Sequence, residues 1–265
     1  MVAENVSNSL VEQIERLASW LRSARAAVVF TGAGVSTESG IPDFRGPDGL
    51  WRRVDPANFT IRRYLEDPQV RRESWERFKT GGVYGQAEPN PAHRAIAELV
   101  RAGLVKWVIT QNIDSLHHRA GTPPDRIIEL HGNLRFAKCL GCRRRFEKAE
   151  ALALPADPSD GVPRCPACGG LLKSGTVSFG EPLPAEELAR AEEAAQTSDL
   201  FIVVGSSLVV YPAAYLPLHA LDAGASLVIV NLGETPLDHL AHLLIAAPAG
   251  QVLPRVADLV LGRPT

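Results

Sequence analysis

The sequence predicts an α/β fold, a Rossmann-like parallel-sheet domain joined to a smaller domain. Three observations predict it. Short apolar runs alternate with helical patterns along most of the chain, as in doubly wound sheets. The runs are continuous rather than alternating in polarity, as expected of strands covered on both faces. Two segments, residues 36–88 and 139–174, break that rhythm and read as insertions that build a second module.

The elements follow in order. Residues 8–24 place Leu10, Ile14, Leu17, Ala18 and Leu21 at helical spacing, with Ser7 or Asn8 as the cap. Residues 26–30 form a buried strand that runs into a turn at Gly32-Ala33-Gly34. Further strands are expected at 105–110, 200–204, 227–230 and 243–245, and helices at 91–101, 185–195 and 212–223. Val252, Val256, Leu259 and Val260 suggest a closing helix. Residues 36–88 are polar, Arg-rich and helical or irregular, with no convincing strand. The expected division is therefore 1–35, 89–138 and 175–265 in the parallel-sheet domain, 36–88 as a helical module, and 139–174 as a cysteine-bearing module.

Among the 265 residues, 28 Lys and Arg face 30 Asp and Glu, a net charge of -2. No global positive field points to nucleic acid or an anionic membrane, and Arg143-Arg144-Arg145 reads as a solvated face. No apolar stretch approaches the about 18 residues of a membrane span. The N-terminus lacks a basic region followed by an apolar one, so a cytoplasmic protein is expected.

The four cysteines are Cys139, Cys142, Cys165 and Cys168, two Cys-x-x-Cys pairs beside Gly141, Pro166 and Gly169-Gly170. This is the pattern of a four-thiolate zinc site. Four protein ligands leave tetrahedral zinc no open position, so the metal is expected to be structural. Disulfides and thioredoxin-like redox are the weaker readings for two matched pairs in a cytoplasmic chain.

A glycine turn after a strand lets a phosphate approach the backbone, and a following helix would present N–H groups to it. Thr37 stands where a dinucleotide fingerprint has its third glycine, and Thr110-Gln111-Asn112 ends the second strand without a ribose-binding acid. A standard dehydrogenase is thus disfavoured. Gly205-Ser206-Ser207 and Asn231-Leu232-Gly233 end two more strands and favour a nucleotide at the carboxyl edge of the sheet. Gln111, Asn112 and Asp114 offer amides and a carboxylate to an amide-bearing ligand or a ribose. His131, after the run Ile127-Ile128 and before Gly132, is a candidate general base. His117 and His118 read as helix-surface residues. The turn-rich segment from Gly40 to Gly46 reads either as a loop that closes over a ligand or as a structured loop with Phe44 in the core.

In this order, Gly32-Ala33-Gly34-Val35-Ser36, residues 39–45, Thr110-Gln111-Asn112-Ile113-Asp114, His131-Gly132, the cysteine pairs, Val177-Ser178-Phe179-Gly180-Glu181, Gly205-Ser206-Ser207 and Asn231-Leu232-Gly233 resemble the sirtuins, NAD-dependent protein-lysine deacylases. The resemblance covers residues 26–261 and is nearest the compact bacterial members. It implies that NAD lies between the two domains and that an acyl group passes from lysine to ADP-ribose, giving nicotinamide, free lysine and 2′-O-acyl-ADP-ribose.

It further implies roles. His131 acts as general base on a ribose hydroxyl, and Asn112 orients ribose and water. Ile113 and Asp114 hold the carboxamide, and Gln111 supports the ribose. Phe44 shields the site and Arg45 orients phosphate or ribose. Gly32, Ala33 and Gly34 cradle phosphates, with Thr37 beside them. Gly205, Ser206, Ser207, Asn231, Leu232 and Gly233 line the adenosine half, and Ala249 caps the adenine. Val177, Ser178, Phe179 and Gly180 receive the peptide as an added strand. The implied partners are acyl-lysine proteins or peptides, with no nucleic acid or membrane, and a monomeric enzyme.

Two departures stand out. Family members that take succinyl or malonyl groups carry Tyr-x-x-Arg. The matching positions here are Trp75 and Phe78, which implies acetyl or longer apolar acyl groups. Lys173-Ser174-Gly175-Thr176 stands where a proline is frequent. Two other function classes compete: an ADP-ribosyltransferase or NAD hydrolase, told apart by whether nicotinamide release needs an acylated peptide, and a zinc-ribbon binding module, which should retain DNA in a salt-dependent way.

Overall fold

The computed structural model describes residues 2–46 and 48–263. In chain order, α1 (Val2–Ser23) leads into β1 (Ala27–Thr31) and a 3-10 turn at Ala33–Ser39. Next come α2 (Ile61–Glu66), α3 (Pro68–Thr80), α4 (Pro91–Arg101), β2 (Trp107–Thr110), α5 (Leu116–Arg119) and β3 (Ile127–Glu129). They are followed by β4 (Phe136–Cys139), β5 (Arg145–Glu147), α6 (Lys148–Ala153) and β6 (Leu172–Ser174). The chain ends with α7 (Ala185–Gln196), β7 (Leu200–Val204), α8 (Leu216–Asp222), β8 (Ser226–Val230), β9 (Leu243–Ile245) and α9 (Ala249–Leu261).

Six strands form one parallel sheet in the order β3-β2-β1-β7-β8-β9. Both faces are covered, which explains the unbroken apolar strands. Along β1, Val29 enters the layer under α1, α4 and α9, with Leu17, Ile96, Leu99 and Val252. Val28 and Phe30 enter the opposite layer, with Ala194, Phe201 and Ala220. Each such side chain contributes about 1.5–3 kcal/mol on burial. The connections reverse direction between β1 and β7, which opens a crevice at the carboxyl edge there.

A second, antiparallel sheet has the order β5-β4-β6. Trp75 and Phe78 of α3 pack with Ala137, Phe146 and Leu172 and with buried Cys139 and Cys165, so the helical insertion and the cysteine-bearing insertion share a core. Helix α3 starts where Asp67 accepts hydrogen bonds from the N–H groups of Gln69 and Val70, with Pro68 at its first position. Asn90 and Pro91 start α4 in the same way.

Several expectations change. The first helix begins at Val2, so Ser7 and Asn8 lie inside it rather than capping it. The segment 212–223 opens with a 3-10 turn at Ala213–Tyr215 before α8. Phe136, Ala137 and Lys138, expected in the parallel-sheet domain, pair instead within the second sheet. The helix expected after the glycine turn is present as a seven-residue 3-10 helix. Among the described residues, no helix is long and apolar enough to cross a membrane.

Candidate active site

The first glycine turn packs against the turn after β7. Gly34 N–H donates to the Gly205 carbonyl at 2.8 Å, and Gly32 N–H donates to Val204. Gly205 has φ +60°, and a Cβ there would lie 2.3 Å from the Val35 nitrogen. No other residue fits that position. The glycine N–H groups are therefore spent within the protein. Ala33, Ser206 and Ser207 keep backbone N–H groups without a protein acceptor among the described residues, and these are free for a phosphate. The Ser206 hydroxyl oxygen accepts from Gln111 Nε2 at 2.8 Å and from Leu208 N–H, which leaves its O–H to donate. Gln111 thus ties β2 to β7 across the sheet.

Beneath this edge lies a buried polar network. Ser36, fully buried, donates to Asp114 Oδ2 at 2.8 Å and lies 3.4 Å from His93 Nε2. Asn112 Nδ2 donates to the Gly32 carbonyl and to Ser36 Oγ, which leaves Asn112 Oδ1 for a ligand. Asp114 Oδ1 accepts from Leu116 N–H at 2.8 Å. Each Asp114 oxygen retains a second lone pair for a carboxamide donor. Burial pushes the Asp114 carboxyl above its usual range, against the Leu116 and Ser36 hydrogen bonds. His93 is held by Asn90 Oδ1 at 3.0 Å, and burial brings it down to about 4. His117, expected on a helix surface, is buried. Its Nε2 lies 3.0 Å from Thr31 Oγ1 and its ring packs edge-on against His93. Burial, then the neighbouring His93 and His118, hold it well below the usual histidine range. His118 is partly buried on Glu129 at 3.3 Å.

His131 follows β3. Its Nδ1 lies 2.7 Å from the Gln111 carbonyl, which can only accept, so Nδ1 carries the proton. Burial lowers the imidazole below its ordinary value, with the Gln111 bond opposing. The ring is therefore neutral at pH 7, with its Nε2 lone pair available. Gly132 has φ +64°, and a Cβ there would meet the Gly175 carbonyl at 2.1 Å, so the histidine turn presses on the segment that leads to Val177. Val177 N–H donates to the His131 carbonyl at 2.9 Å.

The segment 177–180, expected to receive a peptide, has most of its backbone groups occupied. Phe179 N–H donates to Phe59 and its carbonyl accepts from Ile61, a parallel bridge to the helical module. Ser178 N–H donates to Glu181. The Val177 carbonyl and both backbone groups of Gly180 have no protein partner among the described residues, so they, not Phe179 or Ser178, are left for an added strand.

Phe44 is half-buried, neither solvent-open nor in a core. It packs on Trp51, which also meets Phe59 and Phe179. Arg77 lies over Phe59 at 5.0 Å. Arg45 and Thr37 are exposed, Thr37 Oγ1 donating to Gly34. Asn231 Nδ2 donates to Gly233, and Leu232 is 70% exposed beside them. Ala249 is buried at the start of α9. Trp75 and Phe78 instead pack in the core shared with the zinc module.

Ser36, His93, Asn90, Trp51 and Phe59 escaped the sequence reading as site residues. The only signal for Ser36 was its place directly after the glycine turn.

The four cysteine sulfurs lie within 4.8 Å of one another, with Cys139–Cys168 at 3.5 Å and Cys142–Cys165 at 3.7 Å. Zinc–thiolate bonds of about 2.3 Å place tetrahedral sulfurs about 3.8 Å apart, so the set fits zinc and is too open for disulfides. Burial raises the Cys139 thiol, but the N–H groups of Cys142 and Gly141 outweigh it and bring it down to about 7. That favours the thiolate a metal needs.

Residues 32–212 match the model of the Sir2 family. The NAD-dependent protein deacetylase 1 of Pyrobaculum aerophilum is 45% identical over 95% of this chain and 96% of its own. The NAD-dependent protein deacylase 2 of Archaeoglobus fulgidus is 48% identical over 94% and 96%. A solved Sir2 complex with a p53 peptide and NAD+ has TM-score 0.80 and 41% identity, covering 92% of this chain and 97% of that one. A Sir2 structure with deacetylated p53 peptide and 3′-O-acetyl ADP ribose has TM-score 0.82 and 40% identity, covering 92% and 97%.

Proposed function

The chain belongs to the Sir2 family, and from that premise we propose that it removes acetyl or similar apolar acyl groups from protein lysines at the expense of NAD, giving nicotinamide, 2′-O-acyl-ADP-ribose and free lysine. The observation that carries this reading is His131, with Nδ1 pinned to the Gln111 carbonyl and Nε2 free at the carboxyl edge of the sheet, while the four cysteines leave zinc no open position for chemistry.

NAD supplies an activated ribose C1′ and the hydroxyl that accepts the acyl group. The residues do the rest. Ala33, Ser206 and Ser207 offer N–H groups to phosphate, while Gly32, Gly34 and Gly205 let the two turns meet closely enough to present them. Asp114, held by Ser36 and Leu116, accepts from the carboxamide, with Ile113 beside it. Asn112 Oδ1 and Gln111 face the ribose. His131 takes a hydroxyl proton at Nε2, its lowered pKa keeping the base neutral at working pH. Phe44, braced by Trp51, keeps water from the reacting carbon. Arg45 and Thr37 flank the phosphates, and Asn231, Leu232, Gly233 and Ala249 hold the adenosine half. The Val177 carbonyl and Gly180 take the peptide backbone, so the enzyme acts on extended acyl-lysine segments of many sequences. We further propose that residues 36–88 and 136–174 act together as the covering domain, and that the enzyme works as a monomer in the cytoplasm, without nucleic acid or membrane.

The test is nicotinamide release with acetylated and unmodified peptide. Release only with the acetylated peptide is expected, and formation of deacetylated peptide should fall by at least about a hundredfold in His131→Ala. Release without an acyl peptide would instead fit an NAD hydrolase, and full activity in His131→Ala would remove the base.

A further inference from the structure

Lys173 is a buried lysine, 1% exposed. It lies on β6 directly opposite Lys138 on β4. Like charges facing each other across strands destabilise a sheet, and a buried lysine needs a partner. One carboxylate meets both needs. Glu181 places Oε2 2.8 Å from Lys173 Nζ and Oε1 3.0 Å from Lys138 Nζ. Its side chain also accepts from Ser178 N–H at 2.8 Å, and its own N–H donates to the Ser178 carbonyl. Lys173 Nζ reaches onward to the Thr176 carbonyl. The base of the loop 177–180 is thus stapled to the second sheet at two points, Thr176 and Glu181. Tyr64 of α2 closes the same corner by donating to the Leu172 carbonyl.

We infer that the Lys173–Glu181–Lys138 ion triad sets the conformation of the peptide-receiving loop, which makes Lys173 a positioning residue for the acyl-lysine substrate. The inference rests on the reading that Val177 and Gly180 receive the peptide. The ammonium never touches substrate. It holds Thr176 and Glu181, and these fix where the Val177 carbonyl and the Gly180 backbone point. The dinucleotide groups around Gly32, Ser206 and Asn231 stand on other loops, after β1, β7 and β8 of the parallel sheet. The effect should therefore fall on peptide and spare NAD.

The experiment measures KM for an acetyl-lysine peptide and for NAD, with kcat, in the zinc-loaded parent enzyme and in Lys173→Met, Lys173→Arg and Lys138→Met. Lys173→Met should raise peptide KM by about tenfold and leave the KM for NAD within about twofold. Lys173→Arg, which keeps the charge, should recover most of the loss. If Lys173→Met does not fold, Lys138→Met decides, because Lys138 is the more exposed partner. A selective rise of about threefold in its peptide KM is expected. An unchanged peptide KM in the folded variant, or equal rises for peptide and NAD that arginine does not rescue, would overturn the inference alone. A parent enzyme that turned over no acyl peptide would overturn the deacylase reading and this one with it.

Discussion

Acid should destabilise this protein well above the pH at which carboxylates titrate, and the buried histidine pair behind Asp114 is the reason. His93 is fully buried and brought down to about 4 from an ordinary 6.5. Between those values the unfolded chain takes up a proton that the native one refuses, so stability falls as pH falls through the window. Moving from pH 7 to pH 5 removes about 2 kcal/mol through His93 alone. His117, held well below its ordinary range, adds a loss of the same sign, and His131 adds another. Asp114 opposes them: its raised carboxyl binds a proton more readily when folded, which returns some stability in acid. The lowered carboxylates, with Asp160 at about 2, act mainly below this window. Against a typical total of about 5–15 kcal/mol, the histidine loss is large. Urea unfolding at pH 7 and pH 5, with zinc in excess to keep the metal bound, reads it directly. His93→Asn should show a clearly smaller pH dependence than the parent. Equal parent stability at the two pH values, or an unchanged slope in His93→Asn, would refute the reasoning.

Three other outcomes follow from the same structure. Stripping zinc with a chelator, or Cys139→Ser, should unfold the second sheet and abolish activity, checked by zinc content and circular dichroism. A folded, zinc-free, active enzyme would count against a structural metal. Gly205→Ala should cost about 3 kcal/mol, from a left-handed backbone and a Cβ pressed on Val35, and should raise the KM for NAD; a wild-type melt would contradict it. Acetyl peptide should turn over faster than succinyl peptide, because the apolar aromatic cluster at Phe44, Trp51 and Phe59 would strip water from an acyl carboxylate. Parallel assays of the two peptides decide.

What was legible in the sequence was what repeats locally. Strands covered on both faces read as unbroken apolar runs, so β1, β7 and β8 stand out. The Cys-x-x-Cys pairs carry their geometry in their spacing. β3 is only three residues long and showed as Ile127-Ile128. The strands of the second sheet are three or four residues long and mix Lys and Arg with apolar residues, so local pattern hides them. His117 misled for a different reason. It sits in a four-residue helix beside His118 and Arg119, which looks solvated. Its burial depends on Thr31, 86 positions earlier, and on a histidine from α4. Ser36 and His93 were missed because a lone serine or histidine carries no periodicity. Residues 177–180 stood out in the sequence, yet which of their backbone groups stay open depends on Phe59 and Ile61, from another module.

The most direct test of acyl transfer to ADP-ribose is mass spectrometry of a reaction holding the enzyme, NAD and an acetyl-lysine peptide. The account predicts nicotinamide, deacetylated peptide and acetyl-ADP-ribose in equal amounts, with no turnover when NAD is left out. Free acetate appearing without NAD, or ADP-ribose that carries no acetyl group, would contradict it.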